Sequence, residues 1–127
     1  MQHASTDPDL LEQLESMSPE AIDELPFGVI GFDADEMVRV YNTHESETAG
    51  LDPSRVLGSH LFVEVAPCTN NYLVAERFRE CDDLDEELDY VFTLRMRPTP
   101  VRLRLLAKAG ANLRYMVVVR AADVPKN

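Results

Sequence analysis

Apolar residues along the chain follow two periods, and the switches between them mark the elements. In 8-PDLLEQLESM-17 the apolar positions are Leu10, Leu11, Leu14 and Met17, the spacing of one helical face. Ser18 and Pro19 predict the N-cap and first turn of a second short helix, 18-SPEAIDEL-25. These two form an N-terminal helical cap over residues 1–25, with few residues to anchor it. Next, 27-FGVIGF-32 and 37-MVRVY-41 flank 33-DADE-36 and predict a β-hairpin. Asn42 predicts the cap of a helix running through Thr48. Asp52-Pro53 starts another over 53–58, and 59-SHLFVEV-65 makes a further helical turn. Helical spacing returns in 72-YLVAERFREC-81, and 82-DDLDEE-87 is expected to be an acidic loop.

The last third alternates. Leu88, Tyr90, Phe92, Leu94 and Met96 fall on one face of a strand over 88–96, and 101-VRLRLLA-107 alternates similarly. The largely apolar 115-YMVVVR-120 predicts a central strand. Two strands, several short helices and three strands predict an α+β domain. Its five-stranded antiparallel sheet carries the short helices on one face, with the N-terminal cap added. The expected division is a cap (1–25), a core (26–121) and a flexible tail (122–127).

Composition narrows the function. At 127 residues the chain is one domain able to bury a core. Its 23 acidic against 12 basic residues give a net charge of −11, a surface that repels phosphate backbones, so no nucleic-acid partner is expected. Lys108 and Lys126 are the only lysines. Acid excess with scarce lysine fits a salt-rich cytoplasm, and equally a merely acidic small protein. No stretch approaches the roughly 18–20 apolar residues of a membrane span, and MQHASTDPDLLEQLE lacks the pattern of a signal peptide. A cytoplasmic location is expected, with Cys68 and Cys81 reduced.

Candidate chemistry sits in 65-VAPCTNNY-72 and 39-RVYNTHESETAG-50. Val65, Ala66 and Pro67 supply apolar walls beside Cys68, and 69-TNN-71 supplies access and backbone donors. A thiol there either packs as a small hydrophobe or carries a ligand thioester, which needs a thiolate open to solvent during loading and shelter from water afterwards. Tyr41 and Glu45 are four apart, so a helical turn begun at Asn42 lets their tips converge. Glu45 is either a surface carboxylate in the polar 43-THESE-47, or a buried acid whose pKa rises enough to donate to an anion at neutral pH. His44 is expected to face solvent. His60 precedes Cys68 by eight residues, but no oriented third group or oxyanion site accompanies the pair. Cys81 reads as incidental. Neither catalytic nor metal-binding residues are assigned, because the histidines and cysteines lack ligand spacing.

These stretches, with 27-FGVI-30, 50-GLDP-53, 57-LGSHLF-62 and 98-PT-99, make the chain resemble the photoactive yellow protein family, a branch of the PAS-domain sensors. The resemblance runs from about Leu25 to Arg120. It implies a PAS fold and a blue-light photoreceptor, not an enzyme, with p-coumaric acid (4-hydroxycinnamic acid) on Cys68 as a thioester. It also implies that Tyr41 and Glu45 hydrogen-bond the phenolate, and that Phe62, Ala66, Thr69, Phe92 and Met96 line or approach the chromophore. Ile30, Leu51 and Leu94 are counted with that pocket. Leu51 stands where the family carries an arginine, Ala49 a threonine and Leu94 a tyrosine. On this reading trans–cis isomerisation is followed by proton transfer from Glu45, leaving a carboxylate in an apolar pocket. That costs several kcal/mol against a total stability of roughly 5–15 kcal/mol. Residues 1–25 are expected to give way, signalling to an unidentified downstream protein. The alternative is a PAS-type ligand-binding or protein-interaction module without chromophore.

Overall fold

The computed structural model describes residues 4–93 and 98–123. Strands β1 (Gly28–Phe32), β2 (Val38–Tyr41), β3 (Leu84–Phe92), β4 (Thr99–Ala107) and β5 (Arg114–Val119) form one antiparallel sheet in the order β2-β1-β5-β4-β3. The apolar β5 is central, with Tyr115, Met116, Val117 and Val118 buried. The β1–β2 hairpin turns on Asp33, whose Oδ1 accepts from the N–H groups of Asp35 and Met37. Glu36 completes the turn at φ 67°, a left-handed conformation that costs a residue with a Cβ roughly 1–2 kcal/mol.

One face of the sheet carries α3 (Thr43–Ala49), α4 (Pro53–Val56), a π-helical turn (Leu61–Val65), a 3-10 turn (Pro67–Thr69) and α5 (Ala75–Glu80). Asn42 and Asp52 cap α3 and α4 as their residue types predict. Under these helices Phe32 meets Phe62 and Phe78 edge-on, with centroids 5.6 and 4.9 Å apart. On the opposite face, α1 (Leu10–Ser16) and α2 (Pro19–Asp23) bury Leu10, Leu11, Leu14 and Ile22 against Val29, Leu106, Tyr115 and Val117. The cap is therefore better anchored than its short apolar stripe suggests. No helix among the described residues is long and apolar enough to cross a membrane.

Three local expectations change. Leu84–Glu87 is not a loop but the start of β3, in register with β4: Leu84 faces Ala107 and Glu87 faces Arg104. Its carboxylates are tolerated in a strand because β4 offers arginines, with Asp85 paired to Arg104 at 2.9 Å. The helix expected from Tyr72 starts only at Ala75, because Asn71 Oδ1 draws the N–H groups of Leu73 and Val74 into a turn. His44 does not face solvent: its Nε2 meets Asp123 Oδ1 at 2.7 Å, in a 3-10 turn over Ala121–Asp123. Residues 124–127 of the tail, and Leu94 and Met96, lie outside the described residues.

Candidate functional site

Cys68 is a free, half-buried thiol in the 3-10 turn begun by Pro67. It packs against a cluster that includes the buried Ile30, Tyr41, Phe62, Val65, Ala66 and Phe92 and the half-buried Leu51. The sheet supplies Ile30, Tyr41 and Phe92 to that cluster and the helical segment supplies the rest, so residues remote in sequence share the core that the thiol borders. The π-helical turn closes with Ala66 N–H donating to Leu61 O at 2.7 Å. Thr69 is fully buried, its hydroxyl donating to Ala66 O at 2.7 Å.

Two side chains hold the Cys68 backbone, a role the sequence did not assign to either. Tyr90 donates its hydroxyl to the Cys68 carbonyl at 2.5 Å. Asn71 Nδ2 lies 3.2 Å from that carbonyl and donates to the Tyr90 hydroxyl at 2.6 Å. The available signal was the tyrosine itself: on the inward face of a strand its hydroxyl needs a partner.

The second half of the site is built on Asn42. Its Oδ1 accepts from Glu45 N–H at 3.1 Å and Val29 N–H at 3.0 Å, drawing the first turn of α3 onto β1. There the Glu45 side chain is buried over Gly28, where a Cβ would stand 2.1 Å from Glu45 Oε1. Only glycine leaves room for the carboxyl. Of the two placements open to Glu45 in the sequence, surface or buried, the structure has the buried one.

Glu45 does not sit in an apolar pocket alone. Arg120 grips it through both arms, Nη1 to Oε1 at 2.8 Å and Nη2 to Oε2 at 3.2 Å. Burial raises the carboxyl above the ordinary range, and the guanidinium opposes that rise without cancelling it. Tyr41 is buried, and its hydroxyl pKa is raised, first by desolvation and then by the Glu45 charge. Arg120 went unnoticed in the sequence because it ends an apolar run. Its alternation with Met116 and Val118 places it on the helical face.

His60 offers nothing to the thiol: Nδ1 accepts from Phe62 N–H at 3.2 Å, and Nε2 pairs with Glu36 at 3.2 Å. Cys81, at the end of α5, packs against the same cluster as Cys68. Among the described residues no group of three His, Cys, Asp or Glu side chains is arranged to hold a metal ion.

Known proteins resemble this chain in sequence and fold. Photoactive yellow protein of Halochromatium salexigens is 35% identical over 115 residues, spanning 88% of this chain and 91% of that protein. The chain belongs to the photoactive yellow protein family. The photoactive yellow protein domain of the sensor histidine kinase Ppr from Rhodospirillum centenum superposes with a TM-score of 0.78 at 32% identity, covering 86% of this chain and 98% of that one. A PAS domain of an HTR-like protein from Haloarcula marismortui, at 19% identity, shares the fold with a TM-score of 0.61 over 88% of this chain and 96% of its own. No protein-family model matches the chain. The fold is thus a PAS fold, and the family is one of photoreceptors and sensors.

Proposed function

We propose that this protein is a blue-light photoreceptor carrying p-coumaric acid as a thioester on Cys68. One observation carries the reading: in a chain of this family, a free thiol and Tyr41 border one apolar cluster, with the buried Glu45 carboxyl close to Tyr41. These residues fit the group, combining a nucleophile, apolar walls and two acids for a phenolic oxygen. Bound there, p-coumaric acid supplies absorption of blue light and a double bond that isomerises from trans to cis. Cys68 Sγ takes the acyl group from an activated ester, whose bond to its leaving group breaks as that group departs with the thiol proton, and Phe62, Val65, Ala66 and Phe92 keep water from the thioester. Tyr41 Oη and Glu45 Oε hold the phenolic end, with Ile30, Leu51 and Thr69 completing the pocket.

In darkness Glu45 keeps a proton, which burial favours, and after light it gives that proton up. The route outward runs through Asn42, whose Nδ2 donates to Ile22 O at 3.1 Å and Phe27 O at 2.9 Å, and through Thr43 N–H, which donates to Asp23 Oδ1 at 3.0 Å. A shift of α3 therefore pulls on α2. The cap (residues 1–25) opens from the core (26–121), and a downstream signalling protein reads the change in the cytoplasm.

The Arg120 grip on Glu45 favours a second reading, a PAS-type ligand-binding or interaction module without chromophore, because the carboxylate already has a partner. Treatment with activated p-coumaric acid decides between them. On the first reading the protein turns yellow, bleaches in blue light and returns in darkness. Its adduct mass is lost in Cys68→Ala and kept in Cys81→Ala. Infrared difference spectra then lose a carboxyl band after the flash, and Glu45→Gln lacks that band. A colourless protein with an unmodified thiol establishes the second reading.

A further inference from the structure

The family resemblance gives Glu45 a role and Arg120 none, yet the two side chains form one unit, 1% and 14% exposed. Arg120 follows β5 directly, and its backbone N–H donates to Asp123 Oδ2 at 2.9 Å. Asp123 Oδ1 lies 2.7 Å from Nε2 of His44, the neighbour of Glu45 on α3. Glu45, Arg120, Asp123 and His44 thus close a ring that ties α3 to the end of the central strand. The charged and titratable groups acting on Glu45 are Tyr41 at the end of β2, His44 on α3, and Arg120 and Asp123 beyond β5. From β1 the uncharged Gly28 lies against it.

We propose that Arg120 is the counter-ion of Glu45, and that it captures the carboxylate formed after light and thereby sets the lifetime of the lit state. The second half rests on the photoreceptor reading; the first does not. When the Glu45 Oε–H bond breaks, the proton passes to the phenolate oxygen of the bound chromophore, and the electron pair stays on Glu45. Arg120 remains protonated throughout, and no other reactant is needed. A carboxylate without a partner in so closed a site is costly, whereas a guanidinium meets both its oxygens with charge-assisted bonds. The grip therefore favours ionised Glu45 and slows return of the proton. Arg120 acts as a positioning residue, through Glu45.

The test has two arms. In protein without chromophore, the Glu45 side-chain carboxyl is titrated by carbon NMR in wild type, Arg120→Gln and Arg120→Lys. The glutamine variant is expected to titrate about one pH unit higher, a tenfold change in the ionisation constant, and lysine to restore part of the difference. An unmoved midpoint in both variants overturns the pairing. In p-coumaric acid-loaded protein, Arg120→Gln is expected to recover at least about fivefold faster after a flash, with Arg120→Lys between it and wild type. Recovery that is unchanged or slower overturns the capture while leaving the photoreceptor reading intact. A wild type that takes up no chromophore overturns that reading and the capture together, and the titration alone then decides the counter-ion. Should Arg120→Gln fail to fold, Arg120→Lys carries both arms, since ammonium cannot reproduce the two-armed contact.

Discussion

The hydroxyl of Tyr90 lies 2.5 Å from the carbonyl oxygen of Cys68, so the turn that carries the thiol is fastened to the outermost strand, β3. Asn71 bonds both groups and closes the arrangement. On the proposed reading the thiol accepts an acyl group and then keeps it from water, which calls for a fixed backbone, and this contact helps to fix it.

Tyr90→Phe removes the hydroxyl and keeps the ring. The net loss of one hydrogen bond is about 1 kcal/mol, equivalent to a fall in melting temperature of roughly 3–6 °C for a domain of this size. Asn71 still reaches the carbonyl, so the fold persists and the effect concentrates locally. Amide exchange over residues 68–71 is expected to quicken well beyond the change in β5. Equal quickening of both would show that Tyr90 supports global stability and does not fasten this turn.

The fold was largely legible because most elements announce themselves over a few residues. Ser18, Asn42 and Asp52 each cap the helix their type predicts, and the alternation in β4 and the apolar run of β5 needed no remote information. Two of the gaps share a cause, a partner remote in sequence. Leu84–Glu87 looks like a loop until Arg104 is placed opposite, because lone carboxylates disfavour a strand and paired ones do not. Burial of Glu45 was one of two options in the sequence. Gly28 and Arg120 decide it, and neither is local. The sequence placed Cys68, Ala66 and Tyr41 in candidate stretches and the resemblance added Phe62, but no period in it could reveal the ring joining Glu45, Arg120, Asp123 and His44.

Glu36 makes a prediction in pH. Its carboxylate accepts from Arg79 Nε and Nη2, both at 2.9 Å, and faces His60 Nε2 at 3.2 Å. The Arg79 hydrogen bonds are the main reason its pKa lies below the ordinary carboxylate range. Because the folded value is lower than the unfolded one, of about 4.3, the native state binds fewer protons between them. The stabilisation is complete above the unfolded value and is lost as pH falls through the folded one. Glu36→Gln is therefore expected to cost about 1–2 kcal/mol at pH 7. The gap from wild type should close below about pH 4, with urea midpoints from pH 7 to 2.5 as the measurement. A gap that stays constant with pH would mean that shape, not charge, holds Arg79.

Arg104 tests how the cap is held. It lies on the cap side of β4, 5% exposed, and its Nη1 donates to the carbonyls of Ser5 at 2.9 Å and Asp7 at 2.6 Å. Asp85 steadies the same guanidinium through Nε and Nη2, both at 2.9 Å. The chain just before α1 is thus tied to the sheet through this side chain. Arg104→Met keeps an aliphatic stem against the sheet but drops every one of these bonds, at an expected cost of about 1–3 kcal/mol. Asp85→Asn should cost less, because Arg104 retains its backbone acceptors. In the methionine variant, exchange over residues 4–16 is expected to rise while β1 and β5 change only as far as global stability falls. On the proposed reading, a cap already loosened in darkness has less left to release, so in p-coumaric acid-loaded protein the light-minus-dark difference in exchange over residues 4–25 should shrink. An undiminished difference would show that Arg104 is not among the contacts light breaks, and would shift attention to the bonds from Asn42 and Thr43 that fasten α2 to α3.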